Sequence, residues 1–133
     1  MPTATATRPA TPFERIGGRD TIHQIVERFY DLMDSDPAYA RLRALHATDL
    51  APMRTSLAGF LAGWSGGPRD WFEANPGRCM MSAHQGVRID AETSAEWAMA
   101  MRDAIVDTLG ATDPEMAGAL SDVLEQMARG MAR

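Results

Sequence analysis

The sequence lacks several features that mark common classes of protein. Its single cysteine, Cys79, excludes an intrachain disulfide framework and favours a reducing compartment. Lysine is absent, and the 13 basic residues are dispersed arginines in a chain of net charge −5, which disfavours a nucleic-acid partner. No apolar run approaches the roughly 20 residues that span a bilayer. We therefore expect a cytoplasmic protein with neither a nucleic-acid nor a membrane partner.

Motifs of the common catalytic classes are also missing. There is no nucleophile motif, no paired-cysteine metal site and no glycine-rich phosphate loop. The two glycine pairs, at 17–18 and 66–67, lack the strand–turn–helix setting that phosphate binding needs, and we interpret them as helix ends. The residues left to carry chemistry are the three histidines and a few polar aromatic side chains.

The residues that are abundant favour packed helices. Apolar residues form 45% of the 133, with many Leu, Met and Ala, whereas β-branched residues are scattered. A chain of this length buries about two-thirds of its unfolded surface, which is enough for one domain. We expect a flexible N-terminal lead over 1–11, rich in Thr, Ala and Pro, and a single all-α domain over 12–133.

Two segments in the first half of the chain have helical periodicity. In the first, Asp20 can cap the run TIHQIVERFYDLM, whose apolar face comprises Ile22, Ile25, Val26, Phe29, Tyr30 and Met33. The sequence DSDP ends this helix because the residue before a proline avoids the helical region, and an irregular or 3₁₀ piece follows. The second helix is predicted to start near Thr48 or Asp49 and to stop at SGGP, with a face of Leu50, Met53, Leu57, Phe60, Leu61 and Trp64.

Two further helices are predicted after a loop, RDWFEANPGR, that holds at most one short turn. Loops of this length are uncommon in compact domains and are often functional. The third helix runs over 91–109, with Thr93 or Ser94 as its cap. Asp113 caps the fourth, whose apolar stripe comprises Met116, Leu120, Val123, Leu124, Met127 and Met131.

The histidines and polar aromatics have ordinary interpretations when they are taken singly. His23 is next to the apolar face of the first helix and is expected at the surface. His46 is in a connecting segment, and a lone His84 most often stabilises a helix end. Their arrangement carries more information, because Tyr30, His46 and Trp97 come from different segments whose large side chains face one interior.

A polar pocket opposite a single histidine suits a metal that needs only one protein ligand. Haem iron is such a metal, since it takes one axial imidazole and leaves the opposite position open. The many Met and Leu side chains suit the flat apolar faces of the ring. On this reasoning His84 is the metal ligand, and Tyr30, His46 and Trp97 face it.

The order of motifs resembles that of the group II truncated haemoglobins, small globins with a two-over-two helical sandwich. The resemblance covers residues 12–131 and rests on FERIGGRDTIHQIVERFYDLMDSDP, LRALHATDL, FLAGWSGGP followed by a Trp-Phe pair, AH before VRI, and EWAMAMRDAI. It implies the same fold, haem b as the cofactor, and binding of the diatomic gases O₂, NO and CO.

The resemblance also implies roles for individual residues. His84 falls on the proximal iron ligand, Tyr30 on the distal tyrosine, and His46 on a position over the haem. Trp97 falls on the tryptophan that is typical of group II, whose indole N–H faces the bound ligand. Further contacts with the haem are expected from the second helix and from the segment before the proximal histidine: Met53, Leu57, Phe60 and Met80.

Two departures from the family pattern concern the haem propionates. A lysine and an arginine that relatives often have are Ser56 and Ala83 here, which removes two charge-assisted hydrogen bonds. Arg78 and Arg88 are the candidates to replace them. These losses leave an alternative open, namely a cofactor-free sensor or interaction module that keeps the globin fold.

We expect a haem protein that releases its ligand slowly, because several donors stabilise the partial negative charge of bound dioxygen. Slow release favours O₂, NO or peroxide chemistry, or sensing, over bulk oxygen transport or storage. Nitric oxide dioxygenase or peroxidase-like activity is the enzymatic hypothesis, and it requires a reductase that the sequence does not identify. The chain is expected to be a monomer or a homodimer.

Overall fold

The structure is a computed structural model that describes residues 10–78, 84 and 86–132. Its helices in these ranges are α1 (Pro12–Ile16), α2 (Gly18–Ser35), a 3₁₀ turn (Pro37–Tyr39), α3 (Ala40–Ala44), α4 (Ala51–Trp64), α5 (Asp70–Ala74), α6 (Ala91–Leu109) and α7 (Pro114–Met131). No β-strand occurs in the same ranges, which confirms the all-α class. None of these helices combines the length and apolar character that a membrane crossing requires. Residues 1–9 of the predicted N-terminal lead lie outside the described ranges.

The four long helices form two packed pairs. α2 packs against α4, α6 packs against α7, and the pairs meet where α2 contacts α6. Their facing surfaces make one apolar core, whose largest fully buried side chains are Phe29, Met33, Met101, Ile105, Leu124 and Val26. The 3₁₀ turn and α3 connect α2 to α4, where an irregular or 3₁₀ piece is predicted.

The apolar face of α2 follows the predicted periodicity, but the start of the helix does not. All six residues predicted for that face are buried. The helix begins directly after Gly17, whose φ of 111° lies in the left-handed region and which also ends α1. Asp20 is consequently inside the first turn of α2, so the prediction that it caps the helix is wrong.

Aspartates cap the two helices of the second half. Asp90 caps α6 in a capping box whose reciprocal partner is Thr93, so the predicted caps Thr93 and Ser94 lie within the helix. Asp113 caps α7 as predicted, since its carboxylate accepts a hydrogen bond from the Met116 N–H at 3.1 Å. Each aspartate satisfies a backbone donor that the first helical turn leaves without a partner.

Two predicted details of α4 and α7 are wrong. α4 begins at Ala51, not at Thr48 or Asp49, because the Asp49 carboxylate accepts the Ala51 N–H at 3.0 Å in a turn before the helix. Val123 of α7 is 46% exposed, because it lies about 100° around the helix from Leu124, which is buried.

α5 approaches α4 closely because α4 carries a glycine there. A Cβ at Gly63 would lie 2.6 Å from the Phe72 ring, so any larger residue would push α5 away. α5 is the one short turn expected in the loop after SGGP. The segment after Trp64 is therefore packed on α4 as a flank of the molecule.

Candidate functional site

Three aromatic rings from α2 and α6 form a continuous row, Tyr30–Phe29–Trp97, which we call the aromatic row; Tyr30 and Phe29 are buried and Trp97 is partly buried. Phe29 is fully buried at its centre, with the Tyr30 ring at 4.8 Å and the Trp97 ring at 5.4 Å between centroids. Both contacts are edge-to-face, an arrangement that the charge distribution of aromatic rings favours. The packing of α2 on α6 therefore places the Tyr30 hydroxyl and the Trp97 indole N–H relative to each other.

Tyr30 is a buried hydrogen-bond donor. It is 4% exposed, and its hydroxyl makes no hydrogen bond with another residue that the structure describes. Burial raises the pKa of Tyr30 to about 12, and the nearby Arg54 guanidinium opposes this rise. At neutral pH Tyr30 is therefore a neutral phenol with a proton to donate.

His46 lies beside the aromatic row and differs from Tyr30 in its hydrogen-bonding capacity. Its ring is edge-on to Tyr30, with 6.0 Å between centroids. Nδ1 lies 2.8 Å from the Leu42 carbonyl oxygen, and because a carbonyl only accepts, Nδ1 carries the proton. Burial lowers the pKa of His46 more than this hydrogen bond raises it. The ring is thus neutral at physiological pH, with its proton on Nδ1 and an acceptor at Nε2.

His84 lies in a turn before α6. It is half-buried, and its carbonyl oxygen accepts a hydrogen bond from the Val87 N–H at 3.0 Å. Burial is the largest cause of the lowered pKa of His46, and the charges of Arg43 and His84 make smaller contributions in the same direction. The two imidazoles are therefore near enough to interact electrostatically. Met80, which is predicted to contact haem beside His84, lies outside the described residues.

The residues predicted on α4 are spread over different environments. Leu57 is half-buried, and Met53 is 39% exposed. Phe60 is 6% exposed, and its ring contacts are with α5, where Trp71 lies at 5.3 Å and Phe72 at 5.5 Å between centroids. The structure thus places Phe60 in a second aromatic cluster on the α5 flank.

A polar pair lies at the edge of this second cluster. Trp71 Nε1 donates a hydrogen bond to Ser56 Oγ at 3.0 Å. Ser56 is the residue at which the family pattern has a lysine, and here its oxygen is engaged by an indole. Arg78 and Arg88, the candidates to contact haem propionates, are both exposed.

The chemistry of the donor set fits a cofactor that brings most of its own metal ligands. Within the described residues, no three His, Cys, Asp or Glu side chains gather to bind a metal ion by themselves. The site instead combines separate imidazoles with two aromatic donors, and haem takes one imidazole from a protein. A groove of about 490 Å³ between α6 and α7, lined among others by Ser94, Arg102 and Glu125, contains no residue of the aromatic row.

Two residues that shape this site are not predicted as site residues from the sequence. Phe29 is predicted only as core, although it joins the two donors. Arg54, whose guanidinium lies 5.7 Å from the Tyr30 ring centroid, is not singled out at all. An available signal is the acidic pair Glu27 and Asp31, spaced one helical turn apart beside Tyr30, because such a pair attracts a cation from a neighbouring element.

Comparison with known proteins gives a consistent result. The family model for bacterial-like globins matches residues 11–132. The structure resembles the group II 2-on-2 haemoglobin of Agrobacterium tumefaciens with a TM-score of 0.90 and 28% identity, over 96% of this chain and 98% of that one. For the cold-adapted truncated haemoglobin of Pseudoalteromonas haloplanktis the TM-score is 0.88 with 27% identity, over 93% of this chain and 98% of that one. For the thermostable haemoglobin of Thermobifida fusca the TM-score is 0.81 and the identity 29%, over 93% of this chain and 98% of that one.

The comparison with curated proteins finds no match. The globin model nevertheless spans nearly the whole chain, and the three structures cover at least 93% of it. The resemblance carried by the sequence motifs and the predicted two-over-two sandwich are both confirmed. The chain belongs to the bacterial-like globin family and has the fold of the group II truncated haemoglobins.

Proposed function

We propose that this haem globin binds diatomic gases, with His84 as the axial ligand of a haem b iron and the aromatic row on the opposite side. The family supports the haem cofactor. The observation that carries the proposal is the pair of donors, Tyr30 and Trp97, which Phe29 joins and which have no hydrogen-bond partner among the described residues. Donors that no other described side chain engages are available to a ligand bound beside the aromatic row.

When bound, haem supplies an iron with one axial position for a protein imidazole and one for a small ligand. We assign the first position to His84. The apolar contacts with the ring are assigned to Met53, Leu57, Phe60 and Met80. We assign the opposite side, where O₂, NO or CO binds, to Tyr30, His46 and Trp97.

Tyr30 and Trp97 each direct a proton toward the ligand in this proposal. With a pKa of about 12, the Tyr30 phenol keeps its proton at physiological pH, and an indole N–H does not titrate in that range. His46 presents Nε2, which accepts a hydrogen bond from a water or from a protonated ligand. Two donors and one acceptor favour a ligand that gains partial negative charge, such as dioxygen, over CO.

Strong retention of a ligand suits chemistry or sensing better than bulk oxygen transport. We propose nitric oxide dioxygenase or peroxidase-like turnover as the reactions to test, with an external reductase as the electron source. The single cysteine supports a reducing, cytoplasmic location. A monomer or a homodimer is compatible with this role.

Titration with haemin tests the cofactor. The purified chain should bind one haem and show an intense absorption band at the violet end of the spectrum. A chain that does not bind haemin would contradict the proposal and would favour the cofactor-free sensor or interaction module.

Oxygen dissociation tests the distal donors. We expect Tyr30→Phe and Trp97→Phe each to speed dissociation about 10-fold or more, because each removes one charge-assisted hydrogen bond of roughly 1.5–3 kcal/mol. Trp64→Phe, at the C-terminal end of α4, is the matched control and should leave the rate unchanged. Rates that stay at the parent value in both variants would mean that neither donor faces the ligand.

A further inference from the structure

Arg54, in the first turn of α4, reaches across to α2. Its Nη1 donates to the Glu27 carbonyl oxygen at 3.2 Å, and its Nη2 donates to Asp31 Oδ1 at 3.0 Å. Nη1 also lies 3.2 Å from Glu27 Oε2, so two carboxylates that are one helical turn apart hold the guanidinium. The Arg54 side chain is 23% exposed, compared with 48% for Arg28, whose ion pair lies on the surface.

The guanidinium held in this way covers the Tyr30 ring. Its Cζ lies 5.7 Å from the ring centroid, within the range of a cation–π contact. Phe29 and His46 contact the same ring edge-to-face, at 4.8 and 6.0 Å between centroids. The Tyr30 ring is thus bounded by α2, by the connector after α3 and by α4, and Arg54 is the member that α4 supplies.

We propose that Arg54 is a positioning residue that holds the Tyr30 ring and thereby directs its hydroxyl toward the bound ligand. The inference rests on the function proposed above, in which Tyr30 donates to that ligand. Ion pairs of partly exposed side chains contribute little to folding stability, so the main effect of Arg54 is on geometry. Its charge also opposes the rise in the pKa of Tyr30, which makes the phenol a better donor than burial alone would leave it.

The planar guanidinium is suited to this task in a way that an ammonium is not. Arginine presents a rigid fork that meets two carboxylates at once and lies flat over an aromatic ring. Arg54→Lys keeps the positive charge but loses the fork, so it should hold Tyr30 less well. Arg54→Gln loses both the charge and the fork and should have the larger effect.

The test uses the haem-loaded chain of 133 residues in its carbon monoxide form, labelled with fluorotyrosine and observed by fluorine NMR. The chain has two tyrosines, and Tyr39 is an internal reference because its hydroxyl donates to Asp103 at 2.9 Å. We expect Arg54→Gln to shift and broaden the Tyr30 signal alone. We also expect it to speed oxygen dissociation roughly 3- to 10-fold, because a misdirected donor loses part of its hydrogen bond. Arg54→Lys should fall between this variant and the parent.

Arg28→Gln is the matched control, because it removes an arginine that pairs from α2 with Asp107 and should change neither readout. The proposal is overturned if the Tyr30 signal and the oxygen dissociation rate of Arg54→Gln both match the parent. If Arg54→Gln does not fold, the double variant Glu27→Gln, Asp31→Asn is used instead. It retains Arg54 but removes the two carboxylates that hold its guanidinium, and the Tyr30 signal and the oxygen dissociation rate are measured in the same way. The same fluorine spectra recorded on the haem-free chain report the contact between Arg54 and Tyr30 directly, so failure of this inference is distinguishable from failure of haem binding.

Discussion

The two sides of the proposed haem site are built from different kinds of structure. Tyr30 and Trp97 lie within α2 and α6, helices of 18 and 19 residues that pack against each other in the core. His84 lies in a turn before α6 and outside the long helices. The distal geometry is therefore a property of helix packing, whereas the proposed attachment of the iron depends on one side chain. Substitutions on the distal side should accordingly change the rate of ligand release, whereas replacement of His84 should weaken the binding of haem itself.

Replacement of His84 should have the largest effect. We expect His84→Ala to weaken haem binding by on the order of 100-fold or more, because no second protein ligand compensates in the proposed site. Haemin titration followed at the violet absorption band measures this. His23→Ala, at an exposed position of α2, is the control and should bind haem like the parent. If His84→Ala binds haem like the parent, the axial ligand is another residue, and the proposed difference between the distal and proximal sides of the site is contradicted.

Replacement of Phe29 should show that the distal side depends on packing. Phe29 is fully buried and touches both donors, so Phe29→Ala should lower the free energy of unfolding by about 3–5 kcal/mol. Denaturant unfolding of the parent and the variant measures the loss. Val123→Ala, at a position that is 46% exposed, should change stability by less than about 0.5 kcal/mol. A loss below about 1 kcal/mol for Phe29→Ala would indicate that the aromatic row is not held by the core.

The smallest effect concerns the start of α6, which follows the His84 turn and leads to Trp97. The backbone and side-chain hydrogen bonds of Thr93 hold the pKa of Asp90 below its ordinary value. Because the folded-state pKa is the lower one, the stabilisation is present above the unfolded pKa of about 4 and is lost as the pH falls through the folded pKa. Asp90→Asn keeps a capping residue but removes this titration.

We therefore expect Asp90→Asn to resemble the parent in thermal stability near neutral pH. Below about pH 4 its midpoint of unfolding should fall less steeply than that of the parent. Thermal unfolding followed by circular dichroism over a pH series makes the comparison. Parallel curves for the two proteins would show that the Asp90 carboxylate does not contribute to acid sensitivity.

The sequence predicts the buried faces of the helices better than the residues at which the helices begin. The spacing of apolar residues reports which face of a helix is buried, and on α2 all six predicted residues are buried. A cap depends instead on the backbone angles of one residue and on which side chain reaches a particular N–H. Asp113 is capping as predicted, whereas Asp20 is not, because the left-handed Gly17 starts α2 before it.

The candidate site shows a similar division. The motifs and the family resemblance predict Tyr30, Trp97 and His84 as site residues, and their roles toward haem stay predictions. The resemblance also predicts haem contacts for Met53 and Phe60, of which Met53 is 39% exposed and Phe60 packs against α5 in the structure. A helical stripe identifies one side of α4 but not which neighbour each of its residues contacts.

The amino-acid sequence alone was sufficient for the all-α class, the long helices, the buried face of α2 and the family, because these follow from periodicity and motif order along the chain. The role of Phe29 between the donors, the reach of Arg54 over Tyr30 and the acceptor character of His46 required the folded structure. Phe29 and Trp97 are distant in sequence, as are Arg54 and Glu27, and the His46 tautomer depends on which carbonyl meets Nδ1. Such contacts are set by how the helices pack in space, which local sequence patterns do not specify.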